Sequence, residues 1–194
     1  MKKYAADYAF LFLVAGIIIF LDVVSKTWIR ANLMVGEVYR PDLWLSQFAR
    51  IVRVNNTGAA FGMFQNLGDV FRLLSFLVAG LIVYYFPQIP RQDWLIRLSM
   101  GMLLGGAVGN LIDRLTHGPV TDFISLGIFP VFNVADASIS IGVVVLFLGM
   151  WVQERRRKDE ASPEAEPEAE VGAEPSAIAQ GGEGGEMSEE APSE

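Results

Sequence analysis

The sequence predicts an all-α membrane protein: four transmembrane helices, a small extramembrane β element between the first two, and a disordered acidic tail. Three observations predict it. Four mostly apolar runs lie between residues 8 and 153, each near the roughly 20 residues that a bilayer requires. Residues 33–68 instead show short strand-like alternation. Residues 159–194 hold twelve of the 22 acids and no base or aromatic. Residues 1–158 then keep all 15 bases against ten acids, so the acidity belongs to the tail. The chain divides accordingly into a membrane domain, 1–158, and a tail, 159–194. With no cysteine, thiol catalysis, disulfides and cysteine metal sites are excluded.

The first run follows Met1-Lys2-Lys3 and resembles a signal peptide in charge. Asp22, Ser25 and Lys26 follow it where small residues would mark a cleavage site, so an uncleaved helix over about 8–29 is expected. Asp22 and Lys26 are four apart and share a helix face. They read either as an interfacial ion pair or as a carboxylate near a site mouth.

Residues 33–68 carry Tyr39-Arg40-Pro41-Asp42-Leu43-Trp44-Leu45 and Phe48-Ala49-Arg50-Ile51-Val52-Arg53-Val54. Strict alternation places Ile51, Arg53 and Asn55 on one side and Val52 and Val54 on the other. Trp44 and Phe48 suit a membrane interface. Asn55-Asn56-Thr57-Gly58-Ala59-Ala60-Phe61-Gly62 comes next. Its small residues permit close approach, and Asn56 offers donors and an acceptor. A plain turn into the next helix is the alternative reading.

The second helix is expected over 70–86, ended by Pro87 and Pro90. The third, over 94–115, carries Gly101, Gly105, Gly106 and Gly109, a face suited to tight helix packing. The fourth is expected over 133–153. Four spans put both termini on one side. Lys2, Lys3, Arg91, Arg155, Arg156, Arg157 and Lys158 flank that side, which reads as cytoplasmic. The β element then lies at the outer face.

The chemistry concentrates in Gly109–Ile139, which holds Asn110, Asp113, Arg114, Asp122, Asn133 and Asp136. Ionisable residues beside a bilayer are expensive, and by default they mark function. Asp122 lies in the alternating stretch Val120-Thr121-Asp122-Phe123-Ile124, and Asp136 at the start of the fourth helix. Two carboxylates held close cannot both ionise easily, so one keeps a proton while the other acts as base. Such a pair needs no metal or other cofactor. Asp113 and Arg114 are expected to pair as structural support. For Asp136 alone, a charge favoured by the helix N-terminus is the alternative.

Other chemistries fit less well. A Ser-His-Asp triad would need His117, the one histidine, which reads as solvated. Ser25 and Lys26 are adjacent, so they point about 100° apart on a helix. Three aspartates can hold a divalent cation, but no motif spacing supports it. A carrier or proton relay would use the same acids, yet they cluster at one face and no internal repeat provides alternating access. A structural protein recruiting a partner through its tail would leave the core asparagines and aspartates unexplained.

At these residues the chain resembles the bacterial lipoprotein signal peptidases, or signal peptidase II. The resemblance spans about 8–155. It rests on Asp22 with Ser25-Lys26, Asn56-Thr57-Gly58-Ala59-Ala60-Phe61, Gly109-Asn110-x-x-Asp113-Arg114 with Gly118-x-Val120-x-Asp122-Phe123, and Phe132-Asn133-x-Ala135-Asp136. It implies an intramembrane aspartyl endopeptidase in the bacterial cytoplasmic membrane, with its active site at the periplasmic face. The implied reaction removes the signal peptide of a prolipoprotein just before its diacylglyceryl-modified cysteine. Asp122 and Asp136 match the catalytic pair. Asp22, Lys26, Asn56, Gly58, Asn110, Asp113, Arg114 and Asn133 match supporting or substrate-binding positions. The expected partners are lipidated prolipoproteins and membrane lipid, with no nucleic acid, and the expected state is a monomer. The long acidic tail departs from the family's short end.

Overall fold

The computed structural model describes residues 2–39, 48–57 and 68–161. Four helices are long and apolar enough to cross a membrane: α1 (Lys2–Asn32), α2 (Gly68–Tyr85), α3 (Trp94–Thr116) and α4 (Val134–Ala161). α4 runs past the expected residue 153 and three residues into the segment assigned to the tail. Lys158 and Glu154 pair there one turn apart, a spacing that supports an exposed helix. Residues 162–194, Trp44 and Gly58 lie outside the described residues.

α3 is the centre of the bundle and packs against the other three helices. Its glycines serve two faces rather than one. A Cβ on Gly101 or Gly105 would meet Val14 and Ile18 of α1 at 2.7–2.8 Å. A Cβ on Gly106 would meet the Ala135 carbonyl of α4 at 2.6 Å. Gly109 leaves room for the Asp22 carboxylate, which would lie 2.7 Å from an added Cβ. The small residues thus let α1 and α4 close on opposite sides of α3, as apolar packing without a strong hydrophobic drive requires. Leu11, Ala15, Ile82, Phe86 and Leu104 fill the bundle interior. Large apolar side chains such as Phe12, Ile17, Phe76, Leu77 and Phe147 point outward.

One end of the bundle is tied by polar links. Asp7 of α1 accepts from Arg91 at 2.9 Å and from Arg97 of α3 at 2.6 Å. Asp93 accepts from Gln153 of α4 at 2.6 Å. At the other end sits a three-stranded antiparallel sheet, β1 (Val38–Tyr39), β2 (Ala49–Asn56) and β3 (Val120–Leu126), in the order β1-β2-β3. Ile29, Leu33 and Phe123 pack it onto the end of α1. Arg53 clamps the junction by donating to the carbonyls of Arg30 and Leu33, where a helix C-terminus favours a cation.

One expectation about this sheet is extended and one is corrected. The alternating stretch around Asp122 is a full strand, and it joins the 33–68 element in one sheet. The strict alternation of β2 also fails: Ile51 packs inward while Asn55 is exposed. The ladder register shifts between Ile51 and Val54. Such an irregularity inverts the phase of every side chain beyond it. Asn56 therefore turns inward.

Candidate active site

Each functional side chain is placed by a local rule of folding. α3 ends where Gly118 takes φ +85°, a conformation glycine adopts without steric cost, and Pro119 follows. His117 and Gly118 both donate their backbone N–H to the Asp113 carbonyl. The chain then reverses into β3, which pairs Asp122 opposite Val54 and Val120 opposite Asn56. This registers Asn56 beside Asp122, and the Asn56 amide donates to Asp122 Oδ2 at 2.9 Å.

Asp136 is placed by a helix cap. Asn133 immediately precedes α4, and its Oδ1 accepts from the Asp136 backbone N–H at 2.9 Å. Asp136 Oδ2 accepts in return from the Asn133 backbone N–H at 3.2 Å. This is a reciprocal capping box. The helix-start reading of Asp136 is met by this cap, which leaves the carboxylate on the lining of a cavity.

Asn133 also joins the two carboxylates. Its Nδ2 donates to Asp122 Oδ1 at 2.6 Å, while its backbone N–H serves Asp136. Asn110 on α3 donates to Asp136 Oδ1 at 2.8 Å. Burial pushes the Asp122 carboxyl up to about 7, and the nearby Asp136 charge adds to that push. Donors from Asn56 and Asn133 act in the opposite sense. One carboxyl that keeps its proton near neutrality beside a second carboxylate is the arrangement required of an acid–base pair. The two acids open on a cavity of about 630 Å³ that Asn56, Asn110, Arg114 and Phe129 also line. A second, apolar cavity of about 430 Å³ shares Phe71, Asn110, Arg114, Asp136 and Ile139 with it. This cavity extends along α2 past Leu74, Val78 and Leu81.

Asp22 and Lys26 form the expected i,i+4 ion pair, and it is buried inside the bundle. Lys26 Nζ lies 2.7 Å from Asp22 Oδ2, and both residues are fully buried. Asp22 Oδ1 also accepts from the Ala135 N–H at 2.9 Å, so α1 holds the first turn of α4.

The expected Asp113–Arg114 pair is not formed. Asp113 Oδ1 binds Arg30 at 2.9 Å, and Oδ2 lies 3.4 Å from Lys26. Asp113 Oδ2 also accepts from the Thr121 N–H at 3.0 Å, pinning β3 to α3. Consecutive helix residues point about 100° apart, so Arg114 turns away to the cavity. There its guanidinium stands 5.3 Å from the Phe71 ring centre. Arg30 was not among the expected site residues. Its place one helical turn beyond Lys26 was the available signal.

The triad and dyad alternatives fail on geometry. Ser25 spends its hydroxyl on the Asp22 carbonyl, and His117 is exposed. Asp113 turns to Lys26 and Arg30, so the three aspartates do not converge on one cation. Among the described residues, no group of three or more His, Cys, Asp or Glu is placed to hold a metal.

Comparison with known proteins decides the family. The signal peptidase (SPase) II family model matches residues 14–152. The chain belongs to the signal peptidase II family. Its activity is the removal of lipoprotein signal peptides by an aspartic-type peptidase. The lipoprotein signal peptidase of Moorella thermoacetica is 42% identical over 134 residues, covering 69% of this chain and 87% of that one. That of Desulfitobacterium hafniense is 39% identical over 144 residues, covering 74% and 93%. A bacterial membrane enzyme solved in meso at 2.3 Å superposes with a TM-score of 0.68 at 27% identity, covering 81% of this peptidase and 93% of that chain. The peptidase is a multi-pass membrane protein, as its four apolar helices indicate.

Proposed function

We propose that this signal peptidase cuts a lipidated prolipoprotein just before its diacylglyceryl-modified cysteine, with Asp122 and Asp136 as the catalytic pair. The observation that carries the reading is Asn133, which holds both carboxylates at once. Asp136, held by N–H donors from Asn110 and Asn133, takes a proton from water. The water oxygen bonds to the scissile carbonyl carbon. Asp122 gives its proton to the peptide nitrogen as the C–N bond breaks. The products are a new carboxyl terminus and a free amine; the pair holds two protons between these steps and ends with one, on Asp136, which returns to Asp122 before the next turnover. No metal or other cofactor enters the reaction.

The apolar cavity along α2 suits the acyl chains and signal helix of such a substrate. Asn56 and Arg114 at the polar cavity supply donors for its backbone, whose polar groups need partners in an apolar medium. Basic residues at the opposite end support a topology with both termini in the cytoplasm and the site at the outer face of the bacterial inner membrane. The enzyme works as a monomer, and its partners are the prolipoprotein and membrane lipid.

The test is cleavage of a purified, diacylglyceryl-modified prolipoprotein with chelator present, followed by mass spectrometry. The expected lipoprotein product begins at the modified cysteine. A cut elsewhere, or strict dependence on added metal, counts against the reading.

A further inference from the structure

Lys26 is fully buried, and the reaction above does not use it. It reaches from α1 to α3, where its Nζ donates to Asn110 Oδ1 at 2.9 Å. We propose that Lys26 is a positioning residue: it fixes the rotation of the Asn110 carboxamide so that the NH₂ group, never the oxygen, faces Asp136. The inference rests on the reading of Asp122 and Asp136 as the catalytic pair.

A carboxamide has a donor end and an acceptor end, and the two differ little in shape. An ammonium group has three donors and no acceptor. Asn110 Oδ1 accepts from Lys26 and, at 3.1 Å, from Asn133 Nδ2. The other end of the amide then donates to Asp136 Oδ1 at 2.8 Å. A half-turn of Asn110 would set its NH₂ against the ammonium and the Asn133 NH₂. It would also set its oxygen against a carboxylate. Both ends would be repulsive. Lys26 is itself held by Asp22 at 2.7 Å and lies 3.4 Å from Asp113. α1 thereby fixes a donor on the base without touching the base. The device thereby keeps an N–H donor, and not a second oxygen, against the carboxylate that takes the proton.

The test replaces the ion pair as a whole. Lys26→Met alone strands the buried Asp22 carboxylate, whereas Lys26→Met with Asp22→Asn keeps the net charge near the site. Exchanging a whole buried pair for uncharged groups is often nearly neutral in stability. The measurements are a melting curve, kcat and KM on a lipidated prolipoprotein, and the pH–rate profile. The expected double variant melts near wild type, keeps its KM and loses kcat. Its pH–rate profile changes on the acidic limb, and its basic limb stays. Lower kcat with both limbs unmoved would mean that Lys26 only packs α1 on α3, and would overturn the proposal. So would an unchanged enzyme. Should the double variant not fold, Asn110→Leu reads the same limb with Lys26 and Asp22 in place, and an unmoved acidic limb there also overturns the proposal. Failure of the catalytic reading itself looks different: Asp122→Asn or Asp136→Asn would then turn over normally.

Discussion

Asp122 is buried beside a second carboxylate and keeps its proton to about pH 7. An unfolded aspartate loses its proton near pH 3.9. Between about pH 4 and about pH 7 the folded chain therefore binds a proton that the unfolded chain has released. Its contribution to stability is full below this window and is lost as pH rises through it. Melting temperature should fall across that range, and Asp122→Asn should remove this part of the slope. An unaltered slope in the variant would assign it to another group. If Asp122 supplies the proton, wild-type turnover should also decline above about pH 7. Asp113 and Arg114 should behave differently from each other. Asp113→Asn weakens the buried contacts with Arg30 and Lys26, and breaking a buried pair costs about 3–5 kcal/mol. Arg114→Lys breaks no ion pair with Asp113, so melting should stay near wild type while activity drops. Equal losses of stability in the two variants would restore the pairing expected from sequence. The residue types and their order were legible in the sequence because buried acids are costly. Their partners were not, because Arg30 and Asp113 meet across 83 positions of chain.

The elements were legible in proportion to their local signals. Long apolar runs announce helices, so all four were found and only their ends moved. β3 was less visible, because a seven-residue strand is recognised by its partner and β2 lies far away in sequence. The irregularity in β2 left no local mark, and it alone decides that Asn56 rather than Asn55 turns inward. The glycines of α3 suggested close packing, but only the fold shows which neighbour each one admits. Gly106→Ala should destabilise the protein by about 1–3 kcal/mol, as overpacking commonly does. The reason is that the added Cβ meets the Ala135 carbonyl, which is backbone and cannot rotate away. Activity should fall too, since Asp136 follows Ala135. Gly80→Ala, with nothing within 4 Å of the new Cβ, should melt no lower than wild type. Denaturant or thermal melts of both variants check the contrast, and equal melting would remove the packing argument.

For the whole molecule, α3 is the common support. α1 reaches it with Lys26, α4 with the Asp136 cap, and the sheet with Thr121. The polar residues of the site meet where these four parts join, and every one named lies between Asp22 and Asp136. The convergence itself needed the fold: two acids 14 positions apart come under one asparagine only because a strand and a helix cap are both placed against α3. The most direct measurement of the central claim is a gel-shift assay on a lipidated prolipoprotein with wild type, Asp122→Asn and Asp136→Asn, each first shown to be folded by its melting curve. The account predicts loss of cleavage in both variants with folding intact, because one carboxylate must give a proton and the other take it. Near-normal turnover by either folded variant would contradict it.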